Sequence, residues 1–198
     1  MEALKGKVIP VIRTSKPEAA EAIVETLLGL GMAAFELNLT IPDCLALVER
    51  LVARHPRLVL GVGTVLDAVD AAQVIDAGAR FVVSPAVLPE VAEACWKLST
   101  PFFLGAATPT EILAAHRLGA AGVKLFPATQ LGGVGFLRAL KAVYPEIPIM
   151  PTGGITPAEA KDYFAAGAFA VGIGGGFSRE PVDLPALHRA VEMVKEAG

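Results

Sequence analysis

Histidine, cysteine and asparagine are scarce in this chain: three, two and one, Asn38 being the single asparagine. Two cysteines, Cys44 and Cys95, make neither a disulfide framework nor a zinc site. Both fall in predicted helices and read as small core residues. His55, His116 and His188 fall in predicted helices, and no His, Asp or Glu cluster has ligand spacing. The expectation is a chain with no metal and no cofactor. Aromatics make up only 6% of a chain that is 54% hydrophobic, so the core must be Val, Leu, Ile and Ala. A net charge of -3 argues against nucleic acid or an anionic membrane as the main partner. The longest uncharged run, Tyr163 to Ser178, is Gly-rich and too short to span a bilayer. Met1-Glu2-Ala3-Leu4-Lys5 lacks the apolar core and cleavage site of a signal peptide. A cytoplasmic protein is expected.

What is there is an alternation of short apolar runs with amphipathic stretches. Strands are predicted near Val8–Arg13, Ala34–Leu39, Leu58–Thr64, Phe81–Pro85, Phe102–Ala106, Gly122–Pro127, Ile147–Thr152 and Ala170–Gly174. Helices are predicted near Pro17–Leu30, Pro42–His55, Ala68–Ala77, Leu88–Leu98, Pro109–Leu118, Gly135–Val143, Pro157–Ala166 and Leu184–Ala197. Such alternation means βαβ units and a parallel sheet. A weak repeat supports the count. Gly31, Gly78, Gly119 and Gly167 each end a helix one small step before a strand. They recur about every two βα units, which makes eight units and a compact (β/α)8 TIM barrel spanning 1–198 as one domain. The alternative, an open doubly wound sheet, would want G-x-G-x-x-G after the first strand; Thr14-Ser15-Lys16-Pro17 stands there instead.

A barrel interior is crowded and apolar, so charged residues in its strands are informative. There are three: Arg13, Glu36 and Lys124. Alternation puts Glu36 and Asn38 on one face of the second strand, with Phe35, Leu37 and Leu39 facing the helices. The same alternation turns Lys124 and Phe126 inward. A buried ammonium must find an ion pair or shed its proton and become a neutral amine, which attacks carbonyls. Cleavage of a carbon–carbon bond beside a ketone needs an electron sink, either a metal or an iminium. With no metal cluster evident, Lys124 is the remaining candidate.

The runs after the seventh and eighth strands, Pro151-Thr152-Gly153-Gly154 and Ile173-Gly174-Gly175-Gly176, are glycine-rich. In a TIM barrel these two loops let backbone N–H groups close on a phosphate. A pair of tight turns is the plainer reading.

Five motifs run in order through the chain: Val11-Ile12-Arg13, Gly61-Val62-Gly63-Thr64-Val65, Val83-Ser84-Pro85, Lys124-Leu125-Phe126-Pro127-Ala128 and Pro151-Thr152-Gly153-Gly154-Ile155. Together they resemble the 2-keto-3-deoxy-6-phosphogluconate aldolases, also described as 4-hydroxy-2-oxoglutarate aldolases. The resemblance implies a metal-independent class I aldolase with Lys124 as the Schiff-base lysine and Glu36 as general acid and base. It implies substrate contacts at Arg13, Thr64, Pro85, Phe126 and Thr152, and phosphate contacts at Gly153, Gly154, Gly174 and Gly175. The partner implied is a small 2-keto acid, and the assembly a homotrimer. Three positions depart from the pattern. Thr40 stands where the gluconate branch has an arginine for the pyruvyl carboxylate, Pro42 is like the galactonate branch, and Gly176 stands where many members have serine. A relaxed substrate choice is therefore expected, extending to 4-hydroxy-2-oxoglutarate. The alternatives are a 2-keto-3-deoxy-6-phosphogalactonate aldolase, a phosphate-binding epimerase or isomerase, or a non-catalytic sugar-phosphate-binding barrel.

Overall fold

The computed structural model describes residues 2–178 and 180–195. Within them strands and helices alternate: β1 (Val8–Ile12), α1 (Pro17–Gly29), β2 (Ala34–Asn38), α2 (Cys44–Arg54), β3 (Val59–Gly63), α3 (Ala68–Asp76), β4 (Phe81–Val83) and α4 (Pro89–Lys97). The second half repeats the scheme: β5 (Phe102–Ala106), α5 (Pro109–Arg117), β6 (Gly122–Leu125), α6 (Gly133–Val143), β7 (Ile149–Pro151), α7 (Ala160–Ala165), β8 (Val171–Ile173) and α8 (Leu184–Lys195). All the strand pairs are parallel, running in order from β1 to β7 with β8 against β1. The ring closes between β7 and β8 through a Thr152–Gly172 bridge and a 2.8 Å hydrogen bond from Phe169 N–H to the Ile149 carbonyl. This is the (β/α)8 TIM barrel.

The four repeating glycines close helices as their spacing suggests. Gly31, Gly78, Gly119 and Gly167 have φ of 90°, 104°, 76° and 93°. At each, the glycine N–H bonds three residues back and the next N–H bonds five back, as from Ala79 to Val74 and from Ala168 to Tyr163. That is the Schellman arrangement, which satisfies carbonyls a helix end would otherwise orphan. Helix starts are fixed as locally. Asp67 accepts from Asp70 N–H, Thr108 and Glu111 form a capping box, and proline opens α1, α4 and α5.

Some boundaries differ from those predicted. β4 ends before Ser84-Pro85, and β6 ends at Leu125, because proline has no N–H to continue a ladder. The span predicted as one helix from Pro157 opens as a 3-10 turn, Pro157–Glu159, before α7. A further 3-10 turn, Glu2–Leu4, went unpredicted. The predicted end of the last helix at Ala197 lies outside the described residues. Among the described residues no helix is long and apolar enough to cross a membrane.

The sheet has two buried faces with different tasks. Outward residues such as Phe35, Leu37, Val62, Val82, Val123 and Leu125 pack against the helices in the main core. Inward, the lower half of the barrel is filled by Ile9, Phe81, Val83, Phe103 and Met150, with Leu4 closing the bottom. The Phe81 and Phe103 rings meet edge to face at 6.0 Å. Inward glycines make room for them: a methyl group at Gly61 would collide with the Phe81 ring, and one at Gly122 with Phe103. The solid floor leaves only the upper half for polar chemistry.

Candidate active site

The buried polar residues include Glu36, Asn38, Lys124 and Thr152, all on strands or strand ends around that upper half. Glu36 pairs in register with Gly61 of β3 and Val11 of β1, while Lys124 pairs with Gly105 of β5 and Met150 of β7. The two side chains therefore approach from opposite walls. Lys124 Nζ donates to Glu36 Oε1 at 3.0 Å, with the lysine side chain 7% exposed and the carboxylate wholly buried. Among the described residues this is the one ion pair with both partners buried. Such a pair is a poor stabiliser relative to apolar packing of the same volume. Its other carboxylate oxygen, Glu36 Oε2, has no hydrogen-bond partner. A buried acceptor left open is costly unless a substrate or water uses it. The arrangement offers an amine nucleophile, a base already touching it, and an acceptor spare for a second proton.

Gly63 creates the space for the acid. A methyl group there would overlap the Glu36 carboxyl. Gly105 works similarly on the lysine side, where a methyl would strike the Pro85 backbone. Pro85 is thus folded inward over the strand next to Lys124. Phe126 departs from expectation. It lies beyond β6 and is 40% exposed, so it stands at the rim rather than inside the barrel. Its ring centroid is 5.6 Å from Lys124 Nζ and its edge lies against Gly153.

Thr64, just beyond β3, has φ of 64°. A β-branched residue in the left-handed region is strained by about 1–3 kcal/mol. The strain holds a half-buried hydroxyl at the mouth, where it bonds to no protein group among the described residues. Thr64→Gly is therefore expected to raise unfolding stability by about 1 kcal/mol, the relieved strain less glycine's entropy. Urea melts check it; a variant that melts earlier would show the strain is absent.

Arg13 is exposed at the end of β1. Its N–H donates to Ser178 Oγ at 3.0 Å, and Ser178 Oγ–H donates to the Val11 carbonyl at 2.7 Å. Ser15 donates through N–H and Oγ–H to the Glu180 carboxylate. These contacts tie the loop after β1 to the loop after β8. Neither Ser178 nor Glu180 was singled out from sequence, and no local pattern marks them.

The two glycine pairs differ in kind. Gly153 and Gly154 have φ of 100° and 78° and are crowded by Phe126 and Thr129, so turn geometry alone demands glycine there. Gly174 and Gly175 have no such need: a methyl at Gly174 would meet only the Val11 carbonyl at 3.6 Å, and one at Gly175 nothing within 4 Å. Thr152 has its side chain against Gly172, and its backbone is bonded to Leu125 and Ala128. Cys44 and Cys95 are buried in the main core, where desolvation pushes both thiols up to about 11. Neither offers a thiolate at neutral pH. Among the described residues no three His, Cys, Asp or Glu side chains group as metal ligands.

Residues 2–185 match the family model described as KDPG and KHG aldolase. Over 173 residues the chain is 37% identical to a probable 2-dehydro-3-deoxy-6-phosphogalactonate aldolase of Rhizobium meliloti, covering 86% of this chain and 81% of that one. It is 32% identical to the KHG/KDPG aldolase of Escherichia coli K12, over 81% of this chain and 75% of the relative. Among solved structures it is similar to a KDPG aldolase from Legionella pneumophila holding pyruvate as a covalent carbinolamine. There the TM-score is 0.87 and the identity 28%, over 100% of this chain and 96% of that one.

Proposed function

This chain belongs to the KDPG and KHG aldolase family, class I Schiff-base enzymes that cleave carbon–carbon bonds, and from that premise we propose that it splits 2-keto-3-deoxy-6-phosphogluconate into pyruvate and glyceraldehyde 3-phosphate on Lys124. The observation that carries the reading is the buried Lys124–Glu36 contact at 3.0 Å with Glu36 Oε2 unpartnered. The carbinolamine captured in the Legionella relative supports it.

The steps follow from that geometry. Lys124 gives a proton to Glu36 and its nitrogen attacks C2 of the substrate, forming a carbinolamine. Glu36 returns the proton to the departing hydroxyl, water leaves, and an iminium remains. Glu36, directly or through a water on Oε2, then takes the proton of the C4 hydroxyl. The C3–C4 bond breaks, its electrons flow to the iminium nitrogen, and glyceraldehyde 3-phosphate leaves. Protonation of the enamine at C3 and hydrolysis by water release pyruvate and the free lysine. General acid and base help of this kind contributes about 10²–10⁴-fold, and the covalent iminium supplies the electron sink.

Arg13, Thr64, Pro85, Phe126 and Thr152 ring the mouth and are proposed as substrate contacts. The loops Gly153–Gly154 and Gly174–Gly175 are proposed to hold the phosphate end. Gly174 offers the cleaner test, because its glycine is not demanded by conformation or packing. Gly174→Val is expected to raise KM for the phosphorylated substrate at least tenfold more than for 4-hydroxy-2-oxoglutarate, which has no phosphate. Equal damage to both would make the loop merely structural.

Thr40 in place of an arginine, together with the 37% identity to a probable phosphogalactonate aldolase, favours a second reading in which the galactonate epimer is also cleaved. We expect all three substrates to be turned over, with kcat/KM within about 10⁴-fold, since a larger gap needs over 5 kcal/mol of discrimination. Assembly as a homotrimer belongs to the same proposal and is read by sedimentation. The deciding experiment is borohydride reduction with pyruvate followed by peptide mapping. Label on Lys124 is expected; label on Lys97, Lys141 or Lys161 instead would sink the assignment.

A further inference from the structure

We propose that Asn38 is a substrate-binding residue whose side-chain amide donates to the C1 carboxylate of the 2-keto acid, held in that orientation by Thr40. The proposal rests on the aldolase reading above. Asn38 is the only asparagine in the chain and is 2% exposed on the inner face of β2. Its Oδ1 accepts from Thr40 N–H at 3.1 Å and from Thr40 Oγ–H at 2.7 Å. A backbone N–H can only donate, so the first bond fixes which end of the amide faces Thr40. The second bond, from a hydroxyl, reinforces it. The NH₂ group is thereby turned the other way, and among the described residues it donates to no protein atom. Among the described residues the one fully enclosed polar side-chain atom without a partner is Glu36 Oε2, so the Asn38 NH₂ keeps a little access to the cavity, and an oriented donor presented there is one a ligand acceptor can use.

Position selects the carboxylate. Asn38 lies two residues beyond Glu36 on the same face, about 7 Å further toward the mouth. The reacting carbon C2 must reach Lys124 Nζ beside Glu36. The substrate's long arm runs to the loops after β7 and β8. Its short arm, C1, is left the facing sector from β2 to β4, where Asn38 is aligned with Gly63 and followed by Thr64. Thr40 itself carries no charge where the gluconate branch places arginine. Its part here is indirect: it positions the neighbour that does the binding, and the grip becomes a neutral one.

The test compares two ketones that differ in the carboxylate alone, pyruvate and acetone, by borohydride trapping on the intact protein. Asn38→Leu keeps the volume and removes the donor. Its half-saturation for pyruvate is expected to rise about 10- to 100-fold, with trapping by acetone unchanged. Thr40→Val, an exposed change that removes only the hydroxyl clamp, should produce a smaller loss, about threefold, again for pyruvate alone. It carries the test if Asn38→Leu does not fold. Equal loss for both ketones, or no loss for either, overturns the role of Asn38 while leaving the aldolase intact. Failure of the unaltered protein to trap pyruvate at all would overturn the aldolase reading and this proposal with it.

Discussion

Lys124→Met is expected to lower turnover by at least about 10⁴-fold and to gain no mass with pyruvate and borohydride. Methionine preserves the volume and apolar stem of the lysine, so the barrel wall stays filled. The variant loses the amine proposed to form the covalent bond with C2, and losing a covalent nucleophile typically costs several powers of ten. A second consequence separates chemistry from folding. Glu36 is wholly buried and its one side-chain hydrogen bond is to Lys124. Removing the lysine leaves that carboxylate uncompensated, at about 3–5 kcal/mol of stability. The double variant Lys124→Met with Glu36→Gln is expected to recover much of that loss while staying inactive. Urea melts of the single and double variants read the stability, and steady-state assays the turnover. Residual turnover above a hundredth of normal would mean that another residue carries the Schiff base.

Gly63→Ala is expected to lower kcat about 10²-fold, as much as Glu36→Gln, although it touches no substrate. Gly63 has an ordinary backbone conformation, so alanine is not strained there. The added methyl would overlap Oε1 and press on the rest of the Glu36 carboxyl. The carboxyl is the free end of a flexible side chain and is the part that gives way. The 3.0 Å contact with Lys124 is then lost, and with it the placement of the base. Overpacking of this size costs about 1–3 kcal/mol, so the protein still folds. Pyruvate adducts should continue to form at high pyruvate concentration, because the amine remains. Near-normal kcat would show that Glu36 can relocate without loss, and would remove it from proton transfer.

Much of this was legible beforehand because two periodicities carry it. Alternation in Phe35-Glu36-Leu37-Asn38 separates barrel interior from helix-facing core residue by residue, and the repeated glycines mark the helix ends. What alternation could not supply was the third dimension at the rim. Phe126 continues the inward phase of its strand, yet Pro127 ends the ladder and the ring finishes half out of the barrel. Gly63 sat inside a recognised motif, but nothing along the chain tells which neighbour's side chain will need the room a glycine leaves. The Asn38–Thr40 pairing was hidden for a related reason. Thr40 reads as the loss of an arginine, whereas its bonds give it work on a residue two places back. The contacts of Ser178 and Glu180 with the loop after β1 span the length of the chain and left no local trace.

The closure between β7 and β8 has a consequence for how the protein should respond to its substrate. Those two strands share the thinnest ladder described, a Thr152–Gly172 bridge with one flanking bond from Phe169. Among neighbouring strands that ladder opens at least cost, and amide protons there are expected to exchange with solvent soonest of the barrel's own. The loops after β7 and β8 begin on either side of this seam. An anion gripped by both would staple it shut, adding bonds across a gap the polypeptide spans sparingly. Substrate would then act for a moment as part of the wall, slowing deuterium uptake at Phe169, whose N–H crosses the seam, and tightening the whole cylinder from its least sewn edge.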